Sequence, residues 1–91
     1  MIQTTDLYEA SYYLLEGCSI DCIQCLVVNG KALSQFSFGG RNLPRLQLNW
    51  FQGTAEVNLL KFRRAYSQIN LFSYEAKKKW KQERKGEGGE G

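Results

Sequence analysis

Residues 20–38, IDCIQCLVVNGKALSQFSF, decide the fold of this chain. The first half is rich in β-branched residues, which favours a strand, and Asn29-Gly30 follows it. This dipeptide is the strongest short signal for a hairpin turn, because both positions of a type I′ turn need a positive φ. A two-residue turn also sets the register of the hairpin. Four cross-strand pairs are predicted on its core face: Val27 with Ala32, Cys25 with Ser34, Ile23 with Phe36, and Asp21 with Phe38.

The opposite face of the predicted hairpin is only partly polar. It carries Cys22, Gln24, Leu26, Val28, Leu33 and Gln35. Such a mixture is not typical of a face that only water covers. We therefore expect a second surface on it, either the N-terminal helix or a second copy of the protein.

A helix is predicted on the N-terminal side of the hairpin, over residues 6–16. Asp6 and Glu9 have the spacing of a capping box, although Thr5 is an equally good N-cap. Gly17 is expected to supply the C-cap. The leucine and tyrosine side chains of this segment form a broad apolar face that suits packing against the rest of the domain.

A short helix follows the glycines that end the hairpin. Pro44 fits its first turn, and Gly53 ends it. Its buried side is predicted to consist of four apolar residues: Leu43, Leu46, Trp50 and Phe51.

The last third of the chain is predicted to be one long helix. Asn58 is a good N-cap, residues 59–84 contain no glycine or proline, and Gly86 is expected to end the helix. At 1.5 Å per residue it would be about 39 Å long, which is more than so small a domain can cover. Its apolar residues recur at helical spacing and fall in one stripe: Phe62, Tyr66, Ile69, Ala76 and Trp80.

These elements give the order αββαα and the fold class α+β. We expect a single small domain with a β-hairpin packed on helices and a long C-terminal helix. The domain is predicted to span residues 1–85, of which about residues 75–85 form a basic helical arm. The glycines and glutamates of residues 86–91 are predicted to be a disordered tail.

Several positions along this order match a known pattern. Thr4-Thr5-Asp6-Leu7 opens the first helix, Phe36-x-Phe38 ends the second strand, and Trp50, Phe62 and Arg63 follow on the later helices. In these features residues 4–72 resemble a family of small bacterial, archaeal and phage-borne domains of unknown function with a TTDL-type helix cap. The resemblance implies a fold and brings no catalytic residues. The family usually continues its Phe-x-Phe strand into acidic residues, whereas Gly39-Gly40-Arg41 follows here, and the arm after Tyr74 lies outside the shared part.

The composition limits the class of protein. A chain of 91 residues makes one domain at most, and its core must be small. No apolar run approaches the roughly 20 residues of a membrane span, and the N-terminus lacks the basic and apolar regions of a signal peptide. The three cysteines are odd in number and do not suggest a disulfide framework. We therefore expect a cytoplasmic protein that does not enter a membrane.

The cysteines Cys18, Cys22 and Cys25 need separate consideration, because their spacing is that of the iron–sulfur motif of radical S-adenosylmethionine enzymes. Those enzymes need a barrel of about 200 residues. On a regular strand, moreover, Cys22 and Cys25 point to opposite faces. Zinc would need a fourth ligand, and the chain has no histidine. We expect packed thiols and no metal or other cofactor.

The chain has few residues of the types that catalysis commonly requires. Without histidine, the cysteines lack the usual base, and the carboxylates at residues 6, 9, 16 and 21 fit capping and solvent exposure better than an acid–base pair. The glycine pairs belong to turns and not to a phosphate-binding loop. We therefore expect no enzyme and no small-molecule substrate.

The charge distribution favours an anionic partner. Residues 1–40 carry one lysine against four carboxylates, a net charge of −3, and residues 41–91 carry eleven cations against five carboxylates, a net charge of +6. Such segregation suggests nucleic acid or an acidic protein surface, although cations also favour a solvated helix C-terminus. The predicted binding residues are Lys77, Lys78, Lys79, Trp80, Lys81, Arg84 and Lys85 on the arm, supported by Arg41, Arg45, Arg63 and Arg64.

A second class of function stays open at this point. The apolar stripe of the long helix also fits the a and d positions of a heptad, which suits pairing of two helices, and we expect the protein to be a homodimer. A protein-interaction module without affinity for nucleic acid is therefore the alternative, including a phage or mobile-element protein that binds a host protein. The heptad positions are Leu59, Phe62, Tyr66, Ile69, Ser73, Ala76 and Trp80.

Overall fold

The computed structural model describes the backbone of residues 1–88 and the side chains of residues 1–83. Six elements follow one another along the chain: β1 (Ile2–Thr4), α1 (Leu7–Leu15), β2 (Ser19–Val28), β3 (Lys31–Gly39), α2 (Leu43–Gln52) and α3 (Leu59–Gly88). The strands form one antiparallel sheet in the order β1-β3-β2. The α+β class, the hairpin and the long C-terminal helix are confirmed. β1 was not predicted, and it makes the order βαββαα.

β2 and β3 form the predicted hairpin, with one correction. Three of the four predicted pairs are confirmed, but Asp21 does not lie opposite Phe38. The register shifts between Ile20 and Cys22, so that Ile20 takes that position. This bulge keeps an apolar side chain on the core face in place of a carboxylate, whose burial without a partner would be costly. The Asp21 carboxylate lies over Gly39 instead, where a Cβ atom would come within 2.8 Å of its Oδ2.

The core lies between one face of the sheet and the helices. Phe36 and Phe38 of β3 are fully buried, and the Tyr13 ring of α1 meets Phe38 edge to face at 5.4 Å between ring centres. Ile69 of α3 is also fully buried in this cluster. Since α1 packs on this face, the expectation that it could cover the opposite face of the hairpin is wrong.

α2 contributes to the core through one side only. Leu43 and Leu46 are buried and Trp50 packs against them, as predicted. Phe51 was placed on the same side by the sequence analysis, but it is 69% exposed. The reason is helix geometry, because residue 51 lies about 100° around the helix from Trp50 and so turns out of the contact. Gly53 ends the helix in the left-handed conformation, at φ 76°.

α3 begins and packs as predicted, but it ends later. The Asn58 side chain accepts a hydrogen bond from the Lys61 amide at 3.0 Å, which caps the helix. The helix runs through Gly86 to Gly88, because a glycine costs about 1 kcal/mol in a helix without forcing it to stop. With the arm included, the molecule measures 51 × 24 × 23 Å. Residues 89–91 of the predicted tail lie outside the described residues.

Candidate functional site

The apolar stripe of α3 is used within the chain. Phe62 and Tyr66 stack on the Tyr8 ring of α1, with ring centres 6.5 and 5.0 Å apart. Further along, the Ser73 hydroxyl lies 2.8 Å from the Ser34 hydroxyl of β3 in a buried hydrogen bond. Ser73, which is the polar residue among the heptad positions, therefore makes a specific contact to the sheet. The middle of the stripe is buried in its own domain, since Ile69 is fully buried and Ser73 is 5% exposed, whereas Leu59 at its start is 73% exposed.

Trp80 lies beside the sheet and not among the lysines on the outer side of the arm. It is partly buried and lines an open cleft of about 510 Å³ between α3 and β2. The strand side of the cleft is formed by the consecutive residues 23–26, and the helix side also includes Ala76, Lys79 and Glu83. Trp80 therefore faces β2 across this cleft.

The exposed aromatic residue among the arm lysines is Tyr74. It is 65% exposed and lines an outward depression of about 290 Å³ together with Lys77, Lys78 and Lys81. These residues follow Tyr74 by three, four and seven positions, which brings them to the same side of a helix. We call these four residues the tyrosine–lysine cluster. Sequence reasoning missed Tyr74, although this spacing was visible in the sequence.

The arginines predicted to support the arm divide into two groups. Arg63 and Arg64 are exposed on α3 and line a shallow depression of about 210 Å³ with Leu60 and Ser67. They precede the tyrosine–lysine cluster by three to four turns, so that about 20 Å of helix separates Arg64 from Lys77.

The arginines of α2 and the end of the arm do not join this surface in the described structure. Arg45 lines a separate depression of about 300 Å³ that also contains the carboxylates Glu16 and Glu56. Arg41 is exposed just before α2 begins. Arg84 and Lys85 continue the arm as helical backbone, and their side chains lie outside the described residues.

The described lysines and arginines keep their charge available to a partner. Within residues 1–83, no side-chain ion pair engages any of them. Glu75 is the acidic residue nearest to Lys77 and Lys78 in sequence, and it lies three positions before Lys78 on the same helix. The outer side of α3 is thus a cationic surface with exposed apolar side chains between the charges.

The three thiols are dispersed over the structure. Cys18 is buried, Cys25 is half-buried, and Cys22 is exposed with its Sγ atom 4.0 Å from the Ser37 hydroxyl. Among the side chains that the structure describes, no group of three or more cysteines and carboxylates lies close enough to hold a metal ion. Burial, and then the charge of Glu16, raise the pKa of the Cys18 thiol above its ordinary value.

The thiols are therefore expected to differ in reactivity. At neutral pH, iodoacetamide should modify Cys22 at least about tenfold faster than Cys18, because only the thiolate reacts and Cys18 is both buried and held protonated. Peptide mass spectrometry after timed quenching measures the two rates. In 6 M urea the difference should disappear, and equal rates in the folded protein would contradict the described burial.

None of the helices in the described part of the chain is long and apolar enough to cross a bilayer. Comparison with protein-family models, with curated proteins and with solved structures finds no match. The resemblance of residues 4–72 to the domains with a TTDL-type helix cap therefore stays a prediction. The function has to be argued from the surfaces themselves.

Proposed function

We propose that this chain is a small non-catalytic module that binds nucleic acid through the outer side of α3. The observation that carries the proposal is the tyrosine–lysine cluster, in which an exposed aromatic ring stands among three lysines. Aromatic rings stack on bases without regard to sequence, and lysines gain affinity from the counterions that phosphates release. The chemistry fits a single strand whose bases are free to stack.

The surroundings of the cluster support this proposal. Arg63 and Arg64 extend the cationic surface along the same helix, and Arg84 and Lys85 continue it in sequence. No described element places base-reading side chains in a groove, so the binding we propose is governed by charge and stacking and is not sequence-specific. The free thiols suit the reducing cytoplasm.

A protein partner with an acidic surface is the second candidate, and a different observation favours it. Leu60 and Leu71 are 55% and 53% exposed on the same side of α3 as the cations. Apolar side chains between charges are typical of protein interfaces, where the apolar centre provides affinity and the charged rim guides association. A phage or mobile-element protein that binds a host protein belongs to this candidate.

The combined change Lys77→Gln, Lys78→Gln and Lys81→Gln tests the first proposal. We expect at least about tenfold weaker binding of a labelled 20-nucleotide single strand at 50 mM salt. The slope of log affinity against log salt should fall by about 2, because each phosphate contact with a single strand contributes about 0.7 to that slope. Fluorescence anisotropy at four salt concentrations between 50 and 200 mM gives both quantities.

The matched control removes the same charge elsewhere, through Lys31→Gln, Arg41→Gln and Arg45→Gln. This variant should keep most of the affinity and most of the salt slope. Tyr74→Leu should weaken binding with the salt slope unchanged, because it removes stacking and no charge. Absence of binding by the unmodified chain at 50 mM salt would overturn the proposal, and an equal loss in both triple variants would assign the binding to net charge alone.

A further inference from the structure

β2 is an outer strand of the sheet with a long and uncharged free edge. Within residues 1–88, the order β1-β3-β2 leaves one side of β2 without a neighbouring strand. Residues 22–28, CIQCLVV, contain no charged residue, no proline and no glycine. Natural proteins protect outer strands from pairing with lysine, proline or bulges, or by keeping them short. β1, the other outer strand, has three residues, whereas β2 has ten and a bulge only near its start.

The hairpin turn determines which backbone groups face this free edge. Asn29 and Gly30 have φ values of 52° and 79°, so the turn is a two-residue type I′ turn flanked by Val28 and Lys31. The pair next to such a turn is hydrogen-bonded, and bonded and non-bonded pairs alternate along the strands.

The consequence is a row of peptide groups that point away from β3. By this alternation Ile23, Cys25 and Val27 direct their N–H and C=O groups to the free edge. Among the described residues, no backbone hydrogen bond from outside the sheet reaches residues 20–28. The edge is therefore ready to pair with a further strand.

The free edge borders the cleft in front of Trp80. The cleft of about 510 Å³ has residues 23–26 on one side and α3 on the other, where Lys79 and Glu83 line it one helical turn apart. One wall thus carries one positive and one negative charge. A wall of this kind is complementary to a copy of itself turned by 180°, in which each lysine meets the glutamate of the other copy.

We propose that the β2 edge is the dimer interface of this chain, and that it pairs antiparallel with the β2 edge of a second copy about a two-fold axis at Cys25. Ile23 then pairs with Val27 of the second copy, and the two sheets form one six-stranded sheet. If this two-fold axis is perpendicular to the sheet, the core faces of the two copies lie on the same side of the six-stranded sheet. The α3 arms of the two copies then lie on that side as well, and each arm closes the cleft of the other copy. This interface is separate from the tyrosine–lysine cluster and does not depend on the proposed function.

The first test measures mass in solution without nucleic acid. At 100 µM the unmodified chain should have twice the 10.4 kDa of one copy, or 20.8 kDa, by sedimentation equilibrium. Cys25→Lys introduces a charge at the centre of the edge and should give a folded monomer, checked by circular dichroism. Gln3→Lys places the same charge on β1, the other outer strand, and should remain dimeric. A monomeric unmodified chain at 1 mM, or a dimeric Cys25→Lys variant, would overturn the proposal.

The second test identifies the register. Antiparallel pairing on the axis brings the two Cys25 Cα atoms to about 5.5 Å, within reach of a short bis-maleimide. The Cys22→Ser variant should still be cross-linked to a dimer, and the Cys25→Ser variant should not. Cross-linking through Cys22 alone would place the second copy on the opposite face of the sheet and would contradict pairing through the edge.

Discussion

The Phe38→Ala variant is expected to lose about 3–5 kcal/mol of its free energy of unfolding. Phe38 is fully buried, with its ring centre 5.4 Å from that of Tyr13 and 6.3 Å from that of Phe36. It also lies between Ile2 of β1 and Ile20 of β2 in the sheet. Removing the ring leaves a cavity where all three strands meet α1, and a core this small has little else to fill it.

Phe51→Ala is the matched control for this loss. It removes the same atoms from a phenylalanine that is 69% exposed, and the free energy of unfolding should change by no more than about 0.5 kcal/mol. Urea titrations followed by circular dichroism measure both variants, and an unchanged slope m shows that the comparison is one of stability. Similar losses at the two positions would contradict the described core.

The hairpin shows how far local signals predict this fold. Asn29-Gly30 fixes the turn, and alternation of side chains fixes the register next to it, as far as the Ile23–Phe36 pair. The bulge at Asp21 could not be derived in this way, because it depends on what the core face must bury. A carboxylate predicted on that face was nevertheless a sign that the register had to change before Phe38.

β1 was missed for a different reason. Ile2–Thr4 is too short for alternation to be recognised, and its partner β3 lies more than thirty residues away in the sequence. Pairing with the central strand determines its conformation, and strand preference depends strongly on such context.

The candidate site shows the same division between local and long-range information. Helical periodicity correctly placed Trp80 on the same apolar stripe of α3 as Ile69. The sequence does not show how far along α3 the sheet lies beside this stripe. Because Trp80 faces β2 across the cleft, the aromatic residue that stands among the lysines on the outer side of the helix is Tyr74, about 120° around the helix from Trp80. The position of Tyr74 relative to the lysines was predictable from spacing alone.

The Glu9→Ala variant is expected to lose about 2–3 kcal/mol of its free energy of unfolding. Glu9 is 5% exposed, and its carboxylate accepts two hydrogen bonds, from the Thr4 hydroxyl at 2.8 Å and from the Tyr13 hydroxyl. Burial, followed by the hydrogen bond to Glu9, raises the pKa of Tyr13 above its ordinary value, so this hydroxyl stays protonated and able to donate. Truncation leaves both hydroxyls without their acceptor, although relief of the carboxylate's desolvation offsets part of the cost.

Urea unfolding at pH 7 measures this loss, with Glu16→Ala as the control. Glu16 is an exposed carboxylate at the end of the same helix, and its removal should cost no more than about 0.5 kcal/mol.

A double-mutant cycle then isolates the contact between Tyr13 and Glu9. Tyr13→Phe should cost about 1–2 kcal/mol in the unmodified chain and much less in the Glu9→Ala background, because the hydroxyl that it removes there has already lost its acceptor. Equal costs in the two backgrounds would show that Tyr13 and Glu9 are not coupled through this bond.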